Sequence, residues 1–136
     1  MHHHRFSGQT LIEMALALPI LLTLVIGLFI VGQIILTHYA VNKAVRAAVH
    51  QAALTGGNRT ATETAAYREL SGSLGIDPKT GEVVISCPNR PCRRYDPITV
   101  EIRYRVALWT PTALLPFGDE IVVRASATRA AERDQQ

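Results

Sequence analysis

Few side chains in this sequence of 136 residues have the type and spacing that chemistry requires. The first candidate is Glu13, a carboxylate that follows Gly8 by five residues and stands directly before a long uncharged run. A charge at the edge of a membrane-length apolar run is costly and therefore usually has a function. The alternative is a passive carboxylate that reaches the lipid headgroups. Position alone leaves both interpretations open.

The two cysteines, Cys87 and Cys92, enclose a short segment of Pro, Asn and Arg residues. They could form half of a metal site, but a second pair of ligands at a suitable spacing is absent from the sequence. In an oxidising compartment a disulfide is favoured instead, and the loop-entropy model assigns it about 2 kcal/mol. Arg90, Arg93 and Arg94 flank the loop. They are either a solvated turn or a docking patch for an acidic partner.

Catalytic groupings are missing from the sequence. His38 and His50 are 12 residues apart, or about 18 Å along one helix, and no Cys–His or Ser–His–Asp pattern accompanies them. The formal charge of +3 is not concentrated in a Lys/Arg stripe with interleaved aromatic residues. We therefore expect no enzyme activity, no catalytic or metal-binding residues, no cofactor, no small-molecule substrate and no nucleic-acid partner.

The element that positions Glu13 is the apolar run itself, Met14 to Thr37, which contains 24 residues without a formal charge. As a helix it would measure about 36 Å, against about 30 Å for the hydrocarbon core of a bilayer. It therefore predicts a membrane span, with a buried helix of a soluble domain as the alternative. The basic leader before it favours a cytoplasmic N terminus. Pro19 removes one backbone hydrogen bond and predicts a kink near residues 15–18.

Beyond Thr37 the pattern becomes that of an amphipathic helix. Polar residues recur on one helical face, and small apolar residues occupy the other face. The polar residues are Asn42, Lys43, Arg46 and His50, and the apolar ones are Ala40, Val41, Ala44, Val45, Ala48 and Ala52. We expect one rod from about Leu11 to Leu54, capped by the glycines of Thr55–Gly57. Two helices joined by a hinge near Gln33 are the alternative.

The remaining residues predict a small mixed domain. A capping box at Thr60–Glu63 opens a second helix that runs to about Leu70. Strands are predicted at 82–87, at 98–108, where apolar and polar residues alternate strictly, and at 121–127. The stretch 110–118 is predicted to be a loop and 130–136 a frayed polar tail. The fold class is therefore α+β, with a long N-terminal helix, a second short helix and an antiparallel sheet of about three strands.

The order of leader, Gly8, Gln9, Glu13 and apolar run resembles the class III (type IV) prepilin signal. The segment from Glu13 to Leu22, with Pro19 inside it, resembles the TadE-like family of minor pilins and pseudopilins of the tight-adherence, Flp-type system. An alternating strand, a proline-containing loop and a final Ala/Ser-rich strand extend this resemblance.

The resemblance implies that prepilin peptidase cuts between Gly8 and Gln9. Glu13 would then be the fifth residue of the mature protein and would pair with the new amine of an adjacent subunit during assembly. The implied partners are prepilin peptidase, other pilin or pseudopilin subunits and an inner-membrane assembly platform. Separately, the cytoplasmic N terminus that the basic leader favours would place both cysteines outside the cytoplasm.

The resulting domain plan has four parts. Residues 1–8 are a prepilin-type leader, 9–37 a transmembrane helix, 38–55 an amphipathic continuation of the stalk and 56–136 an extracytoplasmic head. We interpret the chain as a minor pilin or pseudopilin held in the bacterial inner membrane by a single pass. The alternative is an unprocessed single-pass anchor that displays a ligand-binding or partner-binding head.

Overall fold

The computed structural model describes residues 8–73, 75–108 and 120–135. Its main element is helix α1, Gly8–Leu54, which is continuous over 47 residues and therefore about 70 Å long. The prediction of a single rod is confirmed, and a break near Gln33 is excluded. The helix also continues through Pro19. The hydroxyl of Thr23 donates to the Pro19 carbonyl at 2.7 Å, and a kink at residues 15–18 stays a prediction.

The distal half of α1 packs on the head through the face that the sequence predicts. All six of its small apolar residues are buried there: Ala40, Val41, Ala44, Val45, Ala48 and Ala52. The four polar residues predicted on the opposite face are exposed. Short side chains at these positions allow the rest of the domain to approach the helix backbone closely.

The end of α1 is a glycine cap, as predicted. Gly56 has a φ of +63°, and the Gly57 amide donates to the Ala52 carbonyl at 2.7 Å. This is the bonding pattern of a Schellman motif, in which a left-handed residue reverses the chain after the last helical turn. The reversal directs the following helix back alongside α1.

That second helix is α2, Arg59–Ser71, and its cap differs from the predicted one. The N-cap is Asn58, whose side chain accepts from the Ala61 amide at 3.2 Å. Glu63 accepts from Arg59 Nε at 2.6 Å instead of closing a capping box with Thr60. The capping box is therefore wrong, because Asn58 already caps the free amide of the first turn and Thr60 lies within that turn.

The sheet has three antiparallel strands in the order β1-β2-β3, as the α+β prediction requires. After a 3₁₀ turn at Pro78–Thr80, β1 is Gly81–Ser86, β2 is Pro97–Ala107 and β3 is Glu120–Ala130. Alternate residues of β2 are buried against the helices, as the strict alternation predicts. The predicted loop 110–118 and the leader residues 1–7 lie outside the described residues.

The C-terminal segment is folded, so the prediction of a frayed tail is wrong. Ala131 is 1 % exposed, and its amide and carbonyl bond Asp96 and Tyr95 at 2.8 Å each. The Glu132 amide donates to the Ala53 carbonyl at 2.8 Å. Carbonyls in the last turn of a helix lack intrahelical partners, and the tail supplies one of them. The polar composition of the segment conceals this because the bonds come from its backbone.

Candidate functional site

Among the described residues, the N-terminal half of α1, up to Phe29, lies outside the hydrophobic core of the head and presents apolar side chains on every side. Most of its large residues between Leu11 and Phe29 are more than half exposed, at up to 77 % for Phe29. A helix that is apolar all round is typical of a membrane span. In the described part of the chain one helix, Thr10–Leu54, is long and apolar enough to cross a membrane, with a mean hydropathy of 2.8 in its most apolar window.

Glu13 lies on the first turns of this exposed half. Helical backbone begins at Gly8, so Gln9 and Glu13 are four residues apart and share one face of α1. Within the described residues the Glu13 carboxylate forms no ion pair and accepts no side-chain hydrogen bond. The carboxylate is therefore available to a partner, and its predicted assembly role stays a prediction.

The head begins to cover α1 at Ile30. Ile30 and Ile34 pack against the core, and Thr37 is 5 % exposed. Gln33 Nε2 donates to the Ala107 carbonyl at 3.1 Å, at the end of β2. The predicted transmembrane segment 9–37 therefore overlaps the surface that the head occupies. The partner of Gln33 is not predictable from local sequence, because the two bonded residues are 74 positions apart.

At the far end of α1, Cys87 and Cys92 form the expected disulfide. Cys92 is 5 % exposed and lies against the turn that ends α1. A Cβ atom added at Gly57 would be 2.8 Å from Cys92 Sγ. At Gly56 it would be 2.5 Å from the Asp134 carbonyl. The helix end, the disulfide loop and the C-terminal segment are thus packed so closely that only glycine fits between them. We call these three segments, Thr55–Gly57, Cys87–Cys92 and residues 131–135, the distal clasp.

Two carboxylates hold the chain that follows the disulfide. Asp96 Oδ2 accepts from the Arg93 amide at 2.9 Å, and Asp134 Oδ1 accepts from the Arg94 amide at 2.7 Å. Gln135 forms two hydrogen bonds with the backbone of Cys92. Its side-chain oxygen accepts from the Cys92 amide at 3.1 Å, and its backbone amide donates to the Cys92 carbonyl at 3.0 Å. The loop is therefore fixed through its backbone by the C-terminal segment.

The side chains of this loop point outward. Arg90, Arg93 and Arg94 are exposed and have no ion pair among the described residues. The guanidinium of Arg94 lies 4.9 Å from the ring centroid of Tyr95, which has a φ of +71° and is 72 % exposed. The arrangement is a rigid basic surface. A docking role for it stays a prediction beside the solvated turn.

Surface ion pairs supplement the packing of the head. Lys43 Nζ lies 3.0 Å from Glu69 Oε2 and joins α1 to α2, and the hydrogen bond from Lys43 to Glu69 raises the pKa of Lys43. On the outer face of the sheet the hydrogen bond from Arg103 lowers the pKa of Glu101. Both pairs are at least partly open to solvent, so each contributes little to stability.

Within the described residues, neither candidate histidine forms a side-chain hydrogen bond to a Ser, Thr or Cys side chain. His50 Nδ1 is 2.7 Å from Arg129 Nη1, at the end of β3. His38 is exposed on α1. Across residues 8–73, 75–108 and 120–135, no group of three or more His, Cys, Asp or Glu side chains could hold a metal ion.

Comparison with known proteins identifies the N-terminal segment. Residues 8–50 match a family model described as TadE-like protein. The match begins at Gly8, contains Glu13 and Pro19 and ends within the part of α1 that packs on the head. No curated protein and no solved structure matches the chain. Over residues 8–50 of its N-terminal helix the chain is therefore similar to TadE-like proteins, which indicates a protein related to the Tad pilus.

Proposed function

We propose that the chain is a minor pilin or pseudopilin subunit of a tight-adherence, Flp-type pilus system. In this proposal prepilin peptidase cuts between Gly8 and Gln9, and the mature protein is assembled through its N-terminal helix. The observation that carries the proposal is the division of α1. One face of its distal half is buried by the head, whereas its N-terminal half is apolar, exposed on all sides and lies within the TadE-like match.

Cleavage would create the group that Glu13 needs. A free α-amine at Gln9 has an ordinary pKa near 8 and is largely cationic at neutral pH. In the low-dielectric environment at the edge of a bilayer, a charge pair is stronger than in water and also directional. A pair between Glu13 of one subunit and the amine of its neighbour would set the axial register of packed helices. Glu13 has no partner among the described residues of its own chain, in agreement with this role.

The proposed location follows from the leader and the cysteines. A basic leader favours a cytoplasmic N terminus, so the head would lie outside the cytoplasm of a bacterium, anchored in the inner membrane by one pass. A disulfide between Cys87 and Cys92 is typical of such an oxidising compartment. The proposed partners are the peptidase, other pilin subunits and the assembly platform. The role is structural and not enzymatic.

The second candidate is an unprocessed single-pass anchor that displays a partner-binding head. The observation that favours it is the basic surface at the distal clasp, where three arginines project from a loop fixed by a disulfide and two carboxylates. Arginine and tyrosine are enriched among residues that dominate binding energy at interfaces. In this candidate the leader stays on the protein, and Glu13 has no assembly function.

Substitution of Glu13 tests the assembly role. We expect Glu13→Gln, which keeps the shape of the side chain and removes its charge, to reduce recovery of other pilus subunits in a pull-down. Glu13→Leu should act in the same way and should insert at least as well as the wild type, since it removes a charge from the edge of the span. Membrane fractionation is the control for insertion. Normal partner recovery and normal pili with both variants would show that Glu13 is passive.

A further inference from the structure

The contact between Gln33 and Ala107 fixes how far the head stands from the bilayer, provided that α1 spans it as in the proposed function. Below this contact, residues 14–32 form a helix of about 28 Å, close to the hydrocarbon thickness of about 30 Å. Glu13 and Gln33 are the polar side chains at its two ends. A hydrocarbon layer extended to Thr37 would bury the Gln33 amide and the ends of β2 and β3 in lipid.

The strands of the head run along the axis of α1. The position of a residue in the sheet therefore gives its height above Gln33, at the edge of the hydrocarbon. Two contacts establish the alignment. Gln33 bonds Ala107 at the end of β2, and Ala53 bonds Glu132, two residues after Ala130, which pairs with Pro97 at the start of β2. The helical distance from Gln33 to Ala53 is about 30 Å, and β2 is about 33 Å long.

The opposite side of α1 is consistent with lipid at the same level. Four large residues on the face away from the head are exposed just above Phe29: Val31, Ile35, Leu36 and Tyr39, at 53–72 %. A modest tilt of the helix would place the first three at the top of the hydrocarbon and Tyr39 among the headgroups. Tyrosine is enriched at that depth because its ring is apolar and its hydroxyl polar.

The arginine nearest to the boundary is Arg105. It lies two residues before Ala107 on the outer face of β2, which corresponds to about 7 Å above Gln33. The headgroup layer on each side of the hydrocarbon is about 5–7 Å deep. Arg105 is exposed and has no ion pair among the described residues. Its guanidinium can therefore reach the depth of the lipid phosphates.

Two other charged residues on the outer face of the sheet limit the predicted contact with lipid phosphates. Arg124 is level with Arg103, about 13 Å above Gln33 and thus beyond the phosphates. Glu120 is exposed and pairs with Ala107 at the boundary itself, where it opposes an anionic surface. Among the described residues on the outer faces of β2 and β3, the predicted interaction therefore involves one arginine and is weakened by one carboxylate.

We propose that the head rests directly on the outer surface of the bilayer, with Gln33 at the hydrocarbon boundary and Arg105 on the phosphate of an anionic lipid. Guanidinium and phosphate groups form paired, charge-assisted hydrogen bonds, which makes arginine well suited to this contact. The bilayer would in this way fix the orientation of the head about the stalk before assembly.

Nitroxide labels in liposomes test the depth of the head. The full-length protein is labelled at single introduced cysteines, with Cys87 and Cys92 kept in their disulfide, and collisions with oxygen and a water-soluble nickel complex are compared. We expect a label at Ile20 in the hydrocarbon, one at Ala107 among the headgroups and one at Thr128 in water. If the label at Ala107 collides with the nickel complex as often as the label at Thr128, the proposal is overturned. A label at Ile20 in the hydrocarbon would in that case show that the membrane span itself is intact. Ile20 outside the hydrocarbon would refute the span itself.

Matched variants test the lipid contact. Enrichment of fluorescent phosphatidylglycerol around the protein in phosphatidylcholine liposomes is measured by energy transfer. We expect Arg105→Gln to lower this enrichment by about fivefold, Arg124→Gln by less than about twofold and Glu120→Gln to raise it. Equal effects of Arg105→Gln and Arg124→Gln would overturn the assignment of Arg105. Shielding of the Ala107 label from both reagents, with spin–spin broadening, would instead indicate a second copy of the chain at this surface.

Discussion

Replacement of Gly57 by alanine should loosen the distal clasp. Gly57 has a φ of +81°, and an added Cβ would lie 2.8 Å from Cys92 Sγ and 3.6 Å from Cys87 Sγ. The left-handed backbone costs an alanine about 1–2 kcal/mol, and overpacking against a fixed neighbour costs about 1–3 kcal/mol more. We therefore expect Gly57→Ala to lower the free energy of unfolding of the head by about 2–5 kcal/mol.

A second glycine provides a matched control. Gly75 has nearly the same backbone conformation, with a φ of +76°, but an added Cβ would meet nothing within 4 Å. Gly75→Ala should therefore show the backbone cost alone. Urea unfolding in detergent micelles, monitored by pulse proteolysis of the head, gives both free energies. Equal losses in the two variants would refute the claim that the disulfide packs against Gly57 in the clasp.

Three further predictions concern the disulfide, one ion pair and the leader. Replacing both Cys87 and Cys92 by serine should lower the free energy of unfolding by about 2 kcal/mol, measured in the same assay, and an unchanged value would contradict a structural role for the bond. The pairing with Arg103 lowers the pKa of Glu101, so its stabilisation is complete above the pKa of an ordinary carboxyl group and is lost as the pH falls through the pKa of Glu101 in the folded protein. In an NMR titration, Arg103→Gln should therefore raise the pH midpoint of Glu101. A midpoint that does not move would contradict the pairing. Gly8→Val should block cleavage by a co-expressed prepilin peptidase, since the proposal requires a residue without a side chain there, and normal cleavage of this variant would contradict the proposed site.

The elements that follow a simple periodicity were predictable from the sequence. Apolar residues at every second position from Ile98 onward require a strand with one buried face, and β2 buries those residues. The small residues from Ala40 to Ala52 recur with the period of a helix, and the buried face of α1 contains them. In both cases neighbouring residues carry the signal, so no knowledge of distant contacts is needed.

The contacts that define the candidate site depend on distant partners and were not predictable. Gln33 bonds the backbone of Ala107, and composition does not show which backbone a glutamine will meet. The segment 131–135 has a polar composition, yet its backbone bonds the end of α1 and the disulfide loop. The sequence predicts a cap at Thr60, whereas the chain turns into α2 directly after Gly57 and Asn58 is the cap.

The central claim is that the exposed half of α1 is the assembly helix of a processed pilin. The most direct measurement is the intact mass of the protein recovered from its native membrane. We expect a chain that begins at Gln9, with Met1 to Gly8 removed. A mass that retains Met1 to Arg5, in cells that contain the cognate peptidase, would contradict it and favour the unprocessed anchor.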